Sequence, residues 1–432
     1  MSESRRFLFA MWDGGGNVPP ALGMARRLIE RGHSVTLLAD PTLAEEARAI
    51  GAAHTSWVKA PHRKSRRPED DVVKDYESSN PLKMIRTYIE SFIGVPAPAW
   101  AGETLAALEA SHADVLVADM TIPATLIAAE KLGIPSVAFS PNIWMLPTPG
   151  IPPLGPGFAP ARGPLGRARD FVMRTLTHRA MAPATPYLNV TRASYGLSPV
   201  ATIYDQMLNA DQVYLLTSPR FDFTSPAIPA KVRYAGPILD DPAWCEPWQS
   251  PWAADDERPL VLVGLSSTYQ KQAATLQAIV DALSRLPVRA LVTLGLTIGA
   301  GEVRGSSNVV VVPTAPHTEV LRQASLLVTH CGHGTTMRGL VAGVPMVCMP
   351  MGRDQNDTAA RVVHHGAGVR ISPGANVRKI RAAVERVLAN PSYGRNAKQL
   401  GRAISEGEGC VDMIDAIERL ASHRKPAHAP AA

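Results

Sequence analysis

Residues 325–368 read SLLVTHCGHGTTMRGLVAGVPMVCMPMGRDQNDTAARVVHHGAG. A short apolar run ends at Thr329, a turn holding Gly332 and Gly334 follows, and a helix is expected from near Thr335 to Gly343. A second apolar run, PMVCMP, then leads to Asp354 and Gln355 beyond its end. Strand, turn, helix and strand in this order form the repeating unit of a parallel sheet with helical crossovers. A helix that opens directly out of a strand end leaves backbone N–H groups and the positive end of its dipole facing the crevice there, which suits an anion. Thr335 and Thr336 add hydroxyl donors, His333 lies in the same turn, and His330 at the strand end can donate to a phosphate oxygen. A carboxylate beside an amide, Asp354 and Gln355, suits neighbouring sugar hydroxyls. The competing reading is a tightly packed, capped helix followed by a polar loop.

The same alternation continues in both directions. Ahead of this stretch come LVLVGL, the loop SSTYQ, a helix to about Leu286, RALVTLG, NVVVVP and a helix near His317–Ala324. The first half opens with FLFAMW and SVTLLA, separated by a helix from about Pro20 to Arg31. That helix places Leu22, Ala25, Leu28 and Ile29 on one face, and Gly32 stops it. DVLVAD, ATLIAAEKLG and PSVAFS repeat the pattern. The expected fold is α/β, with two doubly wound, Rossmann-like parallel-sheet domains facing across a cleft and ligands at the strands' C-terminal ends. The boundaries expected are 1–235 for an acceptor-binding domain, 236–258 for a linker and 259–405 for a nucleotide-sugar domain. A helix at 406–425 is expected to pack back on the first domain, ahead of a frayed tail at 426–432. Between Ser140 and Arg167 prolines and glycines crowd too closely for a regular element, and so long a loop is more often functional or mobile than inert.

A chain of 432 residues fits two cores, and 46% hydrophobic with 19% charged residues is an ordinary globular mixture. The net charge of +6 is scattered apart from HRKSRR (62–67), without aromatic residues interleaved, which argues against a nucleic-acid partner. Cys245, Cys331, Cys348 and Cys410 lie far apart without metal-ligand spacing and read as reduced thiols. The first apolar run stops at Trp12, too short for a signal peptide, and no run reaches the ~20 apolar residues of a membrane span. A cytoplasmic location is expected. Nothing in the sequence fixes an oligomeric state.

The segment 325–368 resembles the donor-binding signature of GT-B fold glycosyltransferases of the UDP-glycosyltransferase type, particularly bacterial natural-product enzymes. His330, Cys331 and Gly332 match H-C-G, Gly334 and Thr335 stand at N-S, Gly343-Val344-Pro345 match G-V-P, and Asp354-Gln355 match D-Q. Pro316-His317 resembles the family's P-Q or P-H beside the nucleobase, and LVLVGLSST resembles its phosphate loop, with Ser267 and Thr268 near the diphosphate. The resemblance implies an enzyme of antibiotic or other secondary metabolism. It would move a sugar from a nucleoside-diphosphate sugar to a small-molecule acceptor, with inversion and with neither metal nor cofactor. One departure bears on the donor: where the family commonly holds ribose with a glutamate, this chain has Arg338. Loss of that carboxylate disfavours UDP and points to a dTDP-sugar, often a deoxysugar, since thymidine nucleotides lack the 2′-OH. The bland reading of Arg338 is a solvated helix residue.

A second departure concerns the base. Gly16-Asn17-Val18-Pro19-Pro20 occupies the family's G-H-x-x-P, so Asn17 replaces the histidine that takes the acceptor's proton. Asp119, ending DVLVAD, matches the aspartate that orients it. An amide takes no proton at neutral pH. Three readings follow: Asp119 or Asp13 acts directly as base, or the acceptor ionises readily or attacks through carbon, or the protein binds donor as a helper without transferring it. Asn17 also suits a helix N-cap, and Asp13 an Asp-Gly turn. A dinucleotide-dependent oxidoreductase is the weaker rival. DGGGNVPP follows the first strand and Asp40 ends the second, but Pro19 stands where the third glycine of G-x-G-x-x-G belongs. Lys59–Pro98 and the loop from Ser140 are expected to line the acceptor pocket. Trp57, Tyr76, Tyr88, Phe92, Trp100 and Trp144 serve there either as ring-covering surfaces or as core. HRKSRRPEDD reads as a solvated loop, or as a contact for an acidic acceptor or partner.

Overall fold

The computed structural model describes residues 4–78, 80–240, 248–295, 297–299 and 301–422. Cys245, part of the linker and the tail at 426–432 lie outside the described residues. The first sheet contains β1 (Arg6–Ala10), β2 (Ser34–Ala39), β3 (Ala53–Ser56), β4 (Val115–Asp119), β5 (Ser136–Ser140), β6 (Gln212–Leu215) and β7 (Val232–Tyr234). Its order is β3-β2-β1-β4-β5-β6-β7, parallel throughout. The second sheet contains β8 (Leu260–Gly264), β9 (Arg289–Thr293), β10 (Val309–Val312), β11 (Ala324–Thr329), β12 (Met346–Cys348) and β13 (Gly368–Arg370). Its order is β10-β9-β8-β11-β12-β13, again parallel.

Each sheet is buried on both faces, as parallel sheets with helical crossovers require. Along β1, Phe7 and Phe9 enter one apolar cluster while Leu8 and Ala10 enter the other, the period of two that a strand imposes. The helix Met413–Ser422 packs Met413, Ile414, Ile417 and Ala421 into the first of these clusters, beside Phe7, Phe9 and Leu28. Arg31 fastens the same helix through Asp415 at 2.5 Å and Glu418 at 2.9 Å.

The described residues adjust several expectations. The first helix runs Val18–Glu30, the helix near His317 ends at Leu321, and the signature helix begins earlier, at His333. A helix, Pro164–Met181, takes the last residues of the proline-rich loop. The basic loop at 62–71 is solvated only in part: Lys64 and Arg67 are exposed, but two of its arginines turn inward. Arg63 is buried, 2.6 Å from Asp71, and Arg66 reaches Glu46 at 2.5 Å and Asp13 at 3.3 Å. Those cations are balanced within the fold, which removes them as a free contact for an acidic partner.

Candidate active site

In a doubly wound sheet the ligand crevice opens where strand order reverses. In the first sheet that point lies between β1 and β4, and in the second between β8 and β11. The loop after β1 carries Asp13 and Asn17, and β4 ends at Asp119. The loop after β8 carries Ser267 and Thr268, and His330 follows β11. The two switch points face each other closely: a Cβ at Gly15, whose φ is 79°, would lie 2.6 Å from the Thr268 methyl. A cavity of about 1690 Å³ runs between them. That exceeds the roughly 300–1,000 Å³ of an ordinary ligand pocket and leaves room for two substrates.

Thirteen of the fifteen residues singled out by sequence line this cavity: Asp13, Asn17, Asp119, Ser267, Thr268, His317, His330, Gly332, His333, Gly334, Thr335, Asp354 and Gln355. Pro316 and Thr336 do not. Pro316 stands at the N-cap of the helix that presents His317, and Thr336 is fully buried one turn behind the cavity wall. The helix His333–Val341 starts out of the β11 turn with Gly332 as its N-cap, and its first amides have no carbonyl one turn back to receive them. The left-handed residue of that turn is Cys331, φ 67°, rather than either glycine. Gly332 is required for another reason, since a Cβ there would lie 2.5 Å from the His330 ring.

Burial pushes His330 down to about 4 and His333 down to about 3, so both are neutral at pH 7, each with one N–H, and the Gly264 carbonyl lies against the His330 ring. Nδ1 of His330 has no partner among the described residues. Oδ2 of Asp354 is buried beside the Thr358 hydroxyl, and burial pushes the carboxyl above the ordinary range. Gln355 is more engaged: its carbonyl accepts from the Met351 and Gly352 amides at 2.8 and 3.1 Å, and its Nε2 donates to Gln270 at 3.0 Å. Arg338 is not solvated. It lines the cavity, donates to the Asp240 carbonyl at 2.6 Å and lies beside Gly334.

On the facing side, Asn17 occupies the N-cap position of the first helix, yet its side chain makes no capping bond. It turns inward. Nδ2 donates to Asp119 Oδ2 at 2.7 Å and to the Trp12 carbonyl at 2.9 Å, while Oδ1 accepts from Gly14 N at 3.0 Å. Asp119 also accepts from Thr121 N at 2.9 Å and Thr121 Oγ1 at 2.6 Å. Burial raises its pKa, and these three donors act against the rise. Asp13 accepts from Thr42 at 2.8 Å and is bridged to Arg66. Asp40, raised to about 6 by burial, receives the Asp13 and Arg63 amides at 2.8 and 2.5 Å and so has no role with a ribose.

The acceptor end is apolar. Of the six aromatics, only Tyr88 lines the cavity. Trp57, Phe92, Trp100 and Trp144 are core, and Tyr76 instead meets Tyr269 across the cleft. The walls missed by sequence are Trp12, Tyr204 and a set of methionines that includes Met84, Met145 and Met173. Methionines gave no signal because their spacing on a helix is the same whether they face a core or a cavity. The proline-rich loop does reach the site, held by Asp357, which accepts from Gly155 N at 2.6 Å and Gly157 N at 3.2 Å.

Comparison with known proteins agrees with this architecture. The family model "UDP-glucoronosyl and UDP-glucosyl transferase" matches residues 164–406. The chain is 29% identical over 428 residues to 4'-demethylrebeccamycin synthase of Lentzea aerocolonigenes, covering 96% of this chain and 99% of that one. It is 27% identical over 429 residues to demethyllactenocin mycarosyltransferase of Streptomyces fradiae, covering 96% and 86%. Among solved structures, the glycosyltransferase of kitacinnamycin superposes with a TM-score of 0.75 at 22% identity, over 97% and 100% of the two chains. The glycosyltransferase VinC, solved with DTDP, gives 0.69 at 17% identity over 97% and 100%. Two facing parallel sheets, a helix N-terminus at the second switch point and this set of relatives lead to one assignment: the chain belongs to the UDP-glucoronosyl and UDP-glucosyl transferase family and is a glycosyltransferase with the GT-B fold.

Proposed function

We propose that the enzyme moves a sugar, preferably a deoxysugar, from a dTDP-sugar to a small apolar acceptor of the polyketide or aromatic secondary-metabolite class, with inversion and without a metal. The observation that carries this reading is the free start of the helix His333–Val341, which opens beside Asp354 onto a cavity wide enough for a second substrate. The bond from the anomeric carbon to the β-phosphate oxygen breaks, and its electron pair stays on that oxygen. Main-chain amides at Gly334 and Thr335 face the charge as it grows, the largest contribution in chemistry of this kind, with the His330 ring beside them. The acceptor attacks from the opposite face, where Asn17 and Asp119 line the cavity.

Asn17 cannot serve as base, and Asp13 is committed to Arg66 and Thr42. Asp119 is the remaining proton acceptor at that point. Burial raises its pKa, the three hydrogen bonds act against the rise, and it remains a carboxylate. Such a base suffices when the nucleophile carries an easily lost proton, as a phenol, an enol or a ring N–H does, because the proton becomes acidic as the new bond forms. A donor-binding helper without turnover has only Asn17 in its favour, and the intact Asp119 network argues against it.

The dTDP preference rests on the helix His333–Val341, which bears no acidic side chain and has Arg338 where a ribose carboxylate would stand. The relatives mentioned include VinC, whose structure holds DTDP. Calorimetry with the two diphosphates tests it. We expect dTDP to bind roughly tenfold more tightly than UDP, the discrimination that follows from one unpaired hydroxyl. Equal or tighter UDP binding would remove the preference.

A further inference from the structure

Arg353 immediately precedes the Asp354–Gln355 pair and adopts a left-handed backbone, φ 55°, uncommon for a residue with a side chain. In the second sheet β8, β11 and β12 are adjacent. Arg353 comes from the loop after β12, yet its Nη1 donates to Thr268 Oγ1, on the loop after β8, at 3.0 Å. Its side chain therefore crosses above the intervening turn after β11, which bears His330 and Gly332. Consistent with that path, the charge of Arg353 is felt at His330. The guanidinium arches over the place where a diphosphate would lie against the helix start.

Its other nitrogens hold an anion from the opposite domain. Nε and Nη2 donate to Asp75 at 2.5 and 3.1 Å. Asp75 belongs to the loop 68–78, which reaches across the cleft at a second point, where Tyr76 meets Tyr269 edge-on with centroids 5.1 Å apart. A nucleoside diphosphate brings more negative charge than one carboxylate, and a planar guanidinium binds phosphate in the same two-pronged way. His330 and His333 are neutral, so the charge at the helix start comes from two guanidiniums, Arg338, which donates to the Asp240 carbonyl, and Arg353, which spans from Thr268 to Asp75.

We propose that Arg353 is a ligand of the donor's β-phosphate, exchanging Asp75 for it, so that donor binding unfastens the loop 68–78 and departure of the nucleoside diphosphate refastens it. This rests on the donor site proposed above and adds to it a leaving-group cation and a coupling between donor occupancy and access to the acceptor cavity. When the sugar–phosphate bond breaks and the electron pair moves to the β-phosphate oxygen, Arg353 neutralises the added charge.

The test compares wild type, Arg353→Gln and Asp75→Asn by calorimetry with dTDP and with dTMP, which lacks the β-phosphate. Hydrogen exchange of the loop 68–78 is followed alongside. We expect Arg353→Gln to weaken dTDP roughly tenfold or more while leaving dTMP unchanged, the loss that follows from removing a charged hydrogen-bond donor. Asp75→Asn removes the competing anion, and dTDP should bind more tightly. In wild type, dTDP should raise exchange in the loop and dTMP should not. A purely structural ion pair would make the two variants act alike. Unchanged dTDP affinity in Arg353→Gln, or weaker binding in Asp75→Asn, overturns the exchange while leaving the donor site standing. Failure of wild type to bind either dTDP or UDP overturns both.

Discussion

Asp119→Asn is expected to lower kcat by two to four orders of magnitude, the range associated with loss of a positioned proton acceptor (about 10²–10⁴). Two effects converge there. The new amide cannot take the proton released by the acceptor. It must also turn an N–H group either towards Asn17 Nδ2 or towards the Thr121 donors, which now approach at 2.6–2.9 Å. Because the site is buried, the repulsion should cost about 1–3 kcal/mol of stability. Rate and fold are separable by pH. If Asp119 takes the proton, the acid limb of the wild-type kcat profile disappears in the variant. A variant that keeps that limb, with only its Tm lowered, would reduce Asp119 to a structural residue.

Asn17→His is expected to work in the opposite direction, adding turnover on simple alcohols that wild type handles poorly. The amide nitrogen of Asn17 lies 2.7 Å from Asp119, so an imidazole at this position would have a carboxylate behind one nitrogen and the cavity before the other. That is the arrangement of an oriented base, and the gain should approach the same roughly 10²–10⁴ in kcat/KM on alcohols, with little change for acidic acceptors. The exchange sacrifices the bonds to Gly14 and the Trp12 carbonyl. Some loss of stability is therefore expected beside the gain. Alcohol turnover unchanged in a folded variant would show that position 17 does not face the reacting hydroxyl.

Much of the donor half was legible because its determinants are local. The turn from β11 into its helix is written in consecutive residues, and the spacing to Asp354 is fixed by one helix and one strand. What escaped depends on long-range packing. The strands β3, β6, β7 and β13 are three or four residues long and lie on the outer parts of their sheets, where apolar runs are too brief to register. Arg66 of HRKSRR read as solvated because its balancing acids, Asp13 and Glu46, come from distant parts of the chain. For the aromatic residues core was one of the two readings, and Trp57, Phe92, Trp100 and Trp144 take it, while Tyr88 faces the cavity. Asn17 was placed at the cleft by sequence, but its engagement with Asp119 is visible only once β1 and β4 lie side by side.

Whether a diphosphate is held at the start of the helix His333–Val341 is decided by a crystal structure of the protein with a dTDP-sugar. We expect β-phosphate oxygens within hydrogen-bond distance of the Gly334 and Thr335 amides and of His330, with a sugar hydroxyl on the Asp354 carboxylate. A nucleotide bound elsewhere, or a helix start filled by protein side chains at saturating donor, would contradict it.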